Sequence, residues 1–447
     1  MELEKLKTAV ENRAKTLGIT EYEVFCKSNL ETTVETLNKE ISSFSSSLTG
    51  GACVRVIRDG KMGYASGELI TEESVAELVS IAAENAQFID RTDEVGIFSG
   101  GPSYPNNKKP EYIPKTASEL KEIALSVAEA AYSASEFVEN GTCTAAGATG
   151  YSISIFNSKG LSLSTEGGFN YCYCESIVNS RGTSECGFSI KEVKDGFSAD
   201  DPAKKSVDEA LSKIGAVKVK TGNYKVIIDG KRMSQLLSAF SPAFSAKNAQ
   251  MGTSLLKDKE GETVASIAVT ITDDPMREEL SVGTFFDAEG VSAKRKCVIE
   301  RGVLRTLLHN RETAKRAGVE TTGNASKQGF ASPIGISPYA FCIEAGDKSL
   351  DELLLMAGDG ILVTELNGLH AGTNAVTGDF SLESAGYLIK NGKRGKAVKS
   401  FTISGNFFEL LKNITALSDE IEFGLPGVFT SYASAAALVE NMSVAGE

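Results

Sequence analysis

Leu3, Leu6, Val10, Ala14 and Leu17 recur at helical spacing, and Gly18 stands where a left-handed residue would end a helix, so the opening segment predicts an amphipathic helix. From Glu21 to Ser66 the apolar period drops to two. The runs 22–26, 32–37, 41–48, 53–57 and 62–65 read as short strands of an antiparallel meander, broken at Gly50-Gly51 and turning at Arg58-Asp59-Gly60-Lys61. Thr71, followed by Glu72 and Glu73, starts a second helix whose stripe is Val75, Leu78, Val79, Ala82, Ala86 and Ile89. Gly100-Gly101-Pro102, Pro105-Asn106-Asn107 and Pro110 mark the stretch 96–114 as a linker. Thr116 and Glu119 form a capping box ahead of a third helix with Leu120, Ile123, Ala124, Val127 and Ala131 on one face. Residues 139–193 read again as strands, with turns at 157–160 and 166–168, before a short helix over 202–214 led by Asp200-Asp201.

Beyond Tyr224 a strand at 224–228 runs into a helix at 231–246, and most of the remaining chain is strand-like. Hairpin signals occur at Glu300-Arg301-Gly302 and Lys390-Asn391-Gly392-Lys393, and two short helices are expected, at 311–317 and 406–414. Many short strands with Gly-rich turns suggest a closed or barrel-like sheet. The expected class is therefore α+β: an N-terminal antiparallel sheet with packed helices, then a mostly β, barrel-like C-terminal domain. The division expected is 1–110, 111–215 (able to form one unit with the first) and 216–447.

Composition narrows the function classes. The 447 residues exceed what a small disulfide-stapled module needs, and a net charge of −13 repels phosphate backbones and anionic lipid, so no nucleic-acid or membrane partner is expected. No apolar run approaches the roughly 18 residues that span a bilayer, and no basic region leads into an apolar stretch at the N-terminus, so a cytoplasmic protein is expected. Eight scattered cysteines without CxxC pairs fit reduced, buried thiols.

Candidate chemistry is sparse. A zinc-hydrolase helix needs two histidines about one turn apart, yet the chain has only His309 and His370, neither with such a neighbour. Cys172 and Cys174 alternate with Tyr171 and Tyr173, which on a strand puts both thiols on one face, the pattern of a packed strand. The motifs GxSxG and GxxxxGK[ST] are absent, as is a GxGxxG between strand and helix. Asp273-Asp274 and Glu278-Glu279 could pair as catalytic carboxylates, but Pro275 and the surrounding polarity favour a solvated turn. The remaining candidate is the loop 366–382, rich in Gly, Asn, Asp and hydroxyls, with His370, Asn374, Thr377, Asp379 and Ser381 as candidate peptide- or partner-facing residues. Such a loop either exposes donors and acceptors to a ligand or is a turn-rich connection whose Asn374 and Asp379 satisfy their own backbone; the sequence leaves both open.

Five stretches, in order, resemble one family along nearly the whole chain: 51–65 (Gly-Ala-Cys-Val-Arg-Val-Ile-Arg-Asp-Gly-Lys-Met-Gly-Tyr-Ala), Thr377-Gly378-Asp379-Phe380-Ser381, Leu388-Ile389-Lys390-Asn391-Gly392, Thr402-Ile403-Ser404-Gly405-Asn406 and 441–446. The family is TldD/PmbA, also labelled modulator of DNA gyrase. The resemblance implies a metallopeptidase of two kinds of subunit, a TldD type with an HExxxH zinc helix and a downstream Cys ligand, and a PmbA (TldE) type without them. The segment equivalent to that helix is 236–246, which puts Ser238, Ala239 and Ala243 where His, Glu and His would stand. No cysteine follows Cys342, so the ligand expected near 424–427 is missing too. The chain thus resembles the PmbA type, with no metal ligands or catalytic residues of its own and zinc expected only in a TldD-type partner. The partners implied are that HExxxH subunit and unfolded or extended peptides, with homodimer formation possible for the isolated chain. Two alternatives stay open: a homo-oligomer that binds extended peptides without cutting them, and a metal-independent hydrolase, for example around His370 and Asp379 or a serine.

Overall fold

Helix α1 (Leu3–Thr16) withdraws Leu6, Val10 and Ala14 from solvent, and Gly18 follows at φ +67°. The computed structural model describes residues 3–90, 92, 95–105, 109, 111–180, 182–425, 427 and 430–447; Asn106, Asn107 and Pro110 of the expected linker, and Pro426 of the 424–427 stretch, lie outside them. Strands β1 (Glu21–Leu37), β2 (Glu40–Arg58) and β3 (Lys61–Gly67) precede helices α2 (Glu72–Asn85) and α3 (Ala117–Ala134). Strands β4 (Cys143–Asn157), β5 (Ser162–Ser180) and β6 (Thr183–Glu192) come next, then helix α4 (Asp200–Lys213). All six strands join one antiparallel sheet in the order β3-β2-β1-β4-β5-β6, so residues on both sides of the 96–114 stretch share it.

One face of this sheet is covered by helices. Val24, Cys26, Val54 and Val56 pack under α1 and α2, while Val34, Ala146, Cys172 and Cys174 pack under α3 and α4. Thr71 and Thr116 each close a capping box, satisfying N–H groups that a helix start leaves open. Asp59 and Gly60 take positive φ, as a two-residue hairpin turn requires.

The strands are longer than expected, because two Gly pairs are not interruptions. β2 runs unbroken through Gly50-Gly51 and β5 through Gly167-Gly168. A Cβ on Gly51 would lie 2.4 Å from the Gly67 carbonyl oxygen and 2.6 Å from the Phe330 ring; one on Gly168 would lie 2.3 Å from the Thr149 carbonyl oxygen. Glycine stands there for close approach of neighbouring chain rather than for a turn.

The second half begins with β7 (Gly222–Ile228), α5 (Gly230–Phe240), α6 (Ala246–Gln250), β8 (Ile271–Asp273), β9 (Lys296–Glu300) and β10 (Val303–Leu304). Helix α7 (Arg311–Ala317), β11 (Ala325–Ser326), β12 (Gly335–Ile336), β13 (Ala340–Ile343) and α8 (Leu350–Ala357) follow. The chain finishes with β14 (Gly360–Asn367), α9 (Leu369–Gly372), β15 (Asp379–Lys390), β16 (Lys393–Asn406), α10 (Phe407–Lys412), β17 (Ile414–Phe423) and β18 (Ser431–Ala445). Strands β7, β14, β15, β16 and β18 close into a ring: Ser443 and Val444 pair with Asn223 and Gly222 on one side and with Ser404 and Ile403 on the other. The barrel-like expectation thus holds.

Both faces of β7 are buried, which is why Val226-Ile227-Ile228 reads as a continuous apolar run. Val226 and Ile228 join Leu236, Leu237 and Phe240 of α5, whereas Ile227 joins Leu353 and Leu354 of α8. Each such side chain contributes about 1.5–3 kcal/mol by leaving water, and Phe240 also stacks on Phe407 with ring centroids 4.6 Å apart.

Two helix expectations need correction. The helix expected at 231–246 stops at Phe240, because Pro242 has no N–H to donate; the chain continues as a 3₁₀ turn, Ser241–Phe244, and then α6. Helices α8 and α9 occupy a stretch read as strand and loop. For α8 the signal is present, since Ser349 and Glu352 form a capping box ahead of Leu353 and Leu354. Among the described residues, no helix is long and apolar enough to cross a membrane.

Gly51→Val is expected to lower the unfolding free energy by about 1–3 kcal/mol, because the added side chain must displace backbone and Phe330 together. Urea denaturation would check this; an unchanged midpoint would mean that the loop carrying Phe330 does not rest on the sheet.

Candidate functional site

The helix-free face of the six-stranded sheet presents Phe25, Tyr151 and Ile153. Across from it lie the 241–251, 275–288 and 325–340 segments of the second half, and together they enclose a cavity of about 890 Å³. Helix α5 delivers the chain to its wall: Ser241, Pro242 and Ser245 line it just beyond the helix C-terminus, with Tyr432 of β18 beside them.

Polar contacts hold the two halves around this space. Glu23 and Arg55 are cross-strand partners on β1 and β2, both buried, with Arg55 Nε donating to Glu23 Oε1 at 3.0 Å. Both lie in the electrostatic field of Glu289 from the second half, whose carboxylate accepts the Arg311 N–H at 2.9 Å. The Arg311 guanidinium reaches back to the Val95 and Gly96 carbonyls, each at 2.8 Å, and sits 5.0 Å from the centre of the Phe98 ring. Lys27 donates to the Gln328 carbonyl at 2.7 Å, and Tyr64 donates to the Ser332 carbonyl at 2.8 Å while accepting from Lys327. Removing one member of a buried ion pair leaves an uncompensated charge, at a cost of about 3–5 kcal/mol.

Asp273 was expected in a solvated turn and is instead fully buried. Its Oδ1 accepts the backbone N–H of Tyr339 at 2.8 Å and of Ala340 at 2.9 Å, and its Oδ2 accepts from Lys296 at 3.0 Å and Asn324 at 2.7 Å. With all of these donors supplied, the carboxylate is structural, tying β8 to the loop that precedes β13. Glu278 and Glu279 are exposed, as a solvated turn requires.

Asp287 lines the cavity and is strongly altered by its surroundings. Burial, reinforced by neighbouring Glu289, pushes its carboxyl up to about 8, although the N–H groups of Glu289, Val291 and Ala325 pull the other way.

The metal implied by the family resemblance does not fit these residues. Ser238 and Ala239 close α5 and Ala243 is buried in the turn after it; one hydroxyl and two methyl groups offer neither a zinc donor set nor a base. The hydroxyls here bond to one another and to backbone: Ser241 Oγ donates to the Ser238 carbonyl and takes the Tyr432 hydroxyl at 2.9 Å. Among the described residues, no three His, Cys, Asp or Glu side chains are grouped to share an ion. His309 is buried, and burial lowers its basicity, whereas His370 is exposed on α9. Cys172 and Cys174 are fully buried, and burial pushes the Cys172 thiol up to about 12.

The loop candidates lie apart from the cavity. Asn374, Thr377 and Asp379 come together in one turn: Asn374 Oδ1 accepts the Val376 N–H at 3.0 Å, and Asn406 donates to the Thr377 carbonyl at 2.8 Å and to Asp379 Oδ1 at 3.0 Å. The Asn406 bond, with a further one from Thr377, holds the Asp379 carboxyl below the usual range. His370 and Ser381 are exposed on α9 and β15 respectively. The cavity residues Lys327, Ser241 and Tyr432 were not singled out by sequence reasoning, since each sits in an ordinary local pattern and gains its role only when distant strands converge.

Three family models match the chain: the PmbA/TldA metallopeptidase domain 1 over residues 22–86, the central domain over 110–215 and the C-terminal domain over 221–446. A metalloprotease of Archaeoglobus fulgidus is 37% identical over 235 residues, and the match spans about half of each protein, 52% of this chain and 53% of that one. A solved Thermotoga maritima structure, named for modulation of a DNA gyrase, superimposes with a TM-score of 0.89 at 28% identity, covering 99% of this chain and 100% of that one. TldE from Thermococcus kodakarensis shares the fold with the same TM-score at 24% identity, over 99% and 100% of the two chains.

The folded state holds the Asp287 proton to higher pH than the unfolded chain, in which an aspartate ionises near about 4. This group's contribution to stability therefore falls as pH rises from about 4 to about 8. Denaturation followed across that range should show a decline that Asp287→Asn makes shallower. An identical slope in the variant would mean that Asp287 is ionised throughout.

Proposed function

Because the chain belongs to the PmbA/TldD family of metallopeptidases, we propose that it is the non-catalytic, PmbA/TldE-type subunit of a two-subunit peptidase. The observation that carries this reading is the chemistry of the last turn of α5 and the 3₁₀ turn after it, where Ser238, Ala239 and Ala243 stand at the positions the family resemblance assigns to two ligands and a base. Likeness of fold to TldE supports it. Hydrolysis then depends on a TldD-type partner with an intact HExxxH helix and its zinc, and this subunit helps to enclose and admit unfolded or extended peptides.

In this reading the exposed loop carrying His370, Asn374, Thr377, Asp379 and Ser381 faces the partner, presenting a turn already fixed by its own hydrogen bonds with Val376 exposed. The cavity between the sheet and the barrel is the peptide-handling space. A cytoplasmic location accords with the reduced cysteines. Direct contact with DNA is disfavoured by the charge of −13.

The test is cleavage of an unstructured peptide by the purified chain alone and after mixing with a family relative that retains HExxxH. Cleavage is expected only in the mixture, and chelation should abolish it. Chelator-sensitive turnover by the lone chain would contradict the proposal.

A further inference from the structure

The cavity differs in charge from the molecule that surrounds it. The chain carries −13 overall, yet two lysines, Lys247 and Lys327, line the cavity against one carboxyl group, Asp287. Asp287 is already engaged by three backbone N–H donors. Lys327 is only 7% exposed and donates to the Tyr64 hydroxyl; its ammonium lies 5.4 Å from the centre of the Phe25 ring and 4.7 Å from that of Tyr64. Among the described residues, no carboxylate is ion-paired with it. Burial pulls this lysine below its ordinary basicity, although nearby Cys53 and Glu23 pull the other way.

The other lining groups describe what else the ligand must be. Tyr151, Phe286 and Ile336 supply apolar walls, Ser326 and Thr430 supply hydroxyls, and exposed Lys247 lies at the mouth beside Met251, itself 65% exposed. A volume of about 890 Å³ lies within the range of small-ligand pockets and is too small for a folded chain.

We propose that this cavity takes the C-terminal end of an extended apolar peptide, with the peptide α-carboxylate held by Lys327. The inference rests on the peptide-handling role above and names which end of the peptide enters. A buried ammonium without an ion-paired carboxylate is costly, and an incoming carboxylate relieves that cost where a neutral amide does not. A fatty acid offers the same carboxylate on an apolar body, but the hydroxyls of Ser326 and Thr430 in the lining match a peptide main chain better.

The experiment is calorimetric titration of the purified chain, without partner, using a short unstructured apolar peptide as the free acid, the same peptide as its C-terminal amide, and a long-chain fatty acid. The free acid should bind at least about tenfold more tightly than the amide, the effect of one ion pair, and Lys327→Met should erase that difference. Because the acid-versus-amide comparison uses the unaltered protein, it stands even if the variant does not fold. Equal binding of acid and amide, no binding of either, a preference that survives in Lys327→Met, or binding of the fatty acid alone would each overturn the proposal. The readout is binding rather than cleavage, so its failure is distinct from failure of the subunit reading.

Discussion

Charged groups can be taken out of water only with partners, and the junction between the sheet and the barrel is built on that constraint. Glu23 and Arg55 sit on adjacent strands of the first half, Glu289 and Arg311 belong to the second, and the Arg311 guanidinium ties in the 95–96 backbone. Lys27 and Tyr64 make parallel attachments to the carbonyls of Gln328 and Ser332. Because these contacts are satisfied only in one relative placement of the two halves, they fix the cavity between them.

The barrel brings the chain just beyond α5 to the cavity wall, and the sheet closes the opposite side. Ser241 and Ser245 present hydroxyls there, and Ser241 is bonded to the Ser238 carbonyl and the Tyr432 hydroxyl. The acid lining the cavity is held by backbone donors, and among the described residues its buried lysine has no ion-pair partner.

Much of the fold was legible from local pattern. Helices α1, α2 and α3 announced themselves through apolar stripes and caps, and the hairpins at Asp59-Gly60 and Asn391-Gly392 through residues that tolerate positive φ. What misled was glycine: Gly51 and Gly168 look like turns in the sequence and are close approaches in space, decided by Phe330, Gly67 and Thr149, all remote in the chain. The same limitation hid the site. Asp273 reads as a surface acid until Lys296 and Asn324 arrive beside it, and Lys327 reads as a loop lysine until Tyr64 and Phe25 enclose it. Residues 238–243, by contrast, take their expected significance from the family resemblance alone, which assigns the ligand positions to one short segment.

The claim on which the account depends is that residues 238–243 bind no catalytic ion. Anomalous diffraction at the zinc edge, from crystals of the chain alone grown with zinc, tests it directly. The account predicts no peak within bonding distance of Ser238, Ala239 or Ala243; a fully occupied, tightly coordinated ion beside them would contradict it.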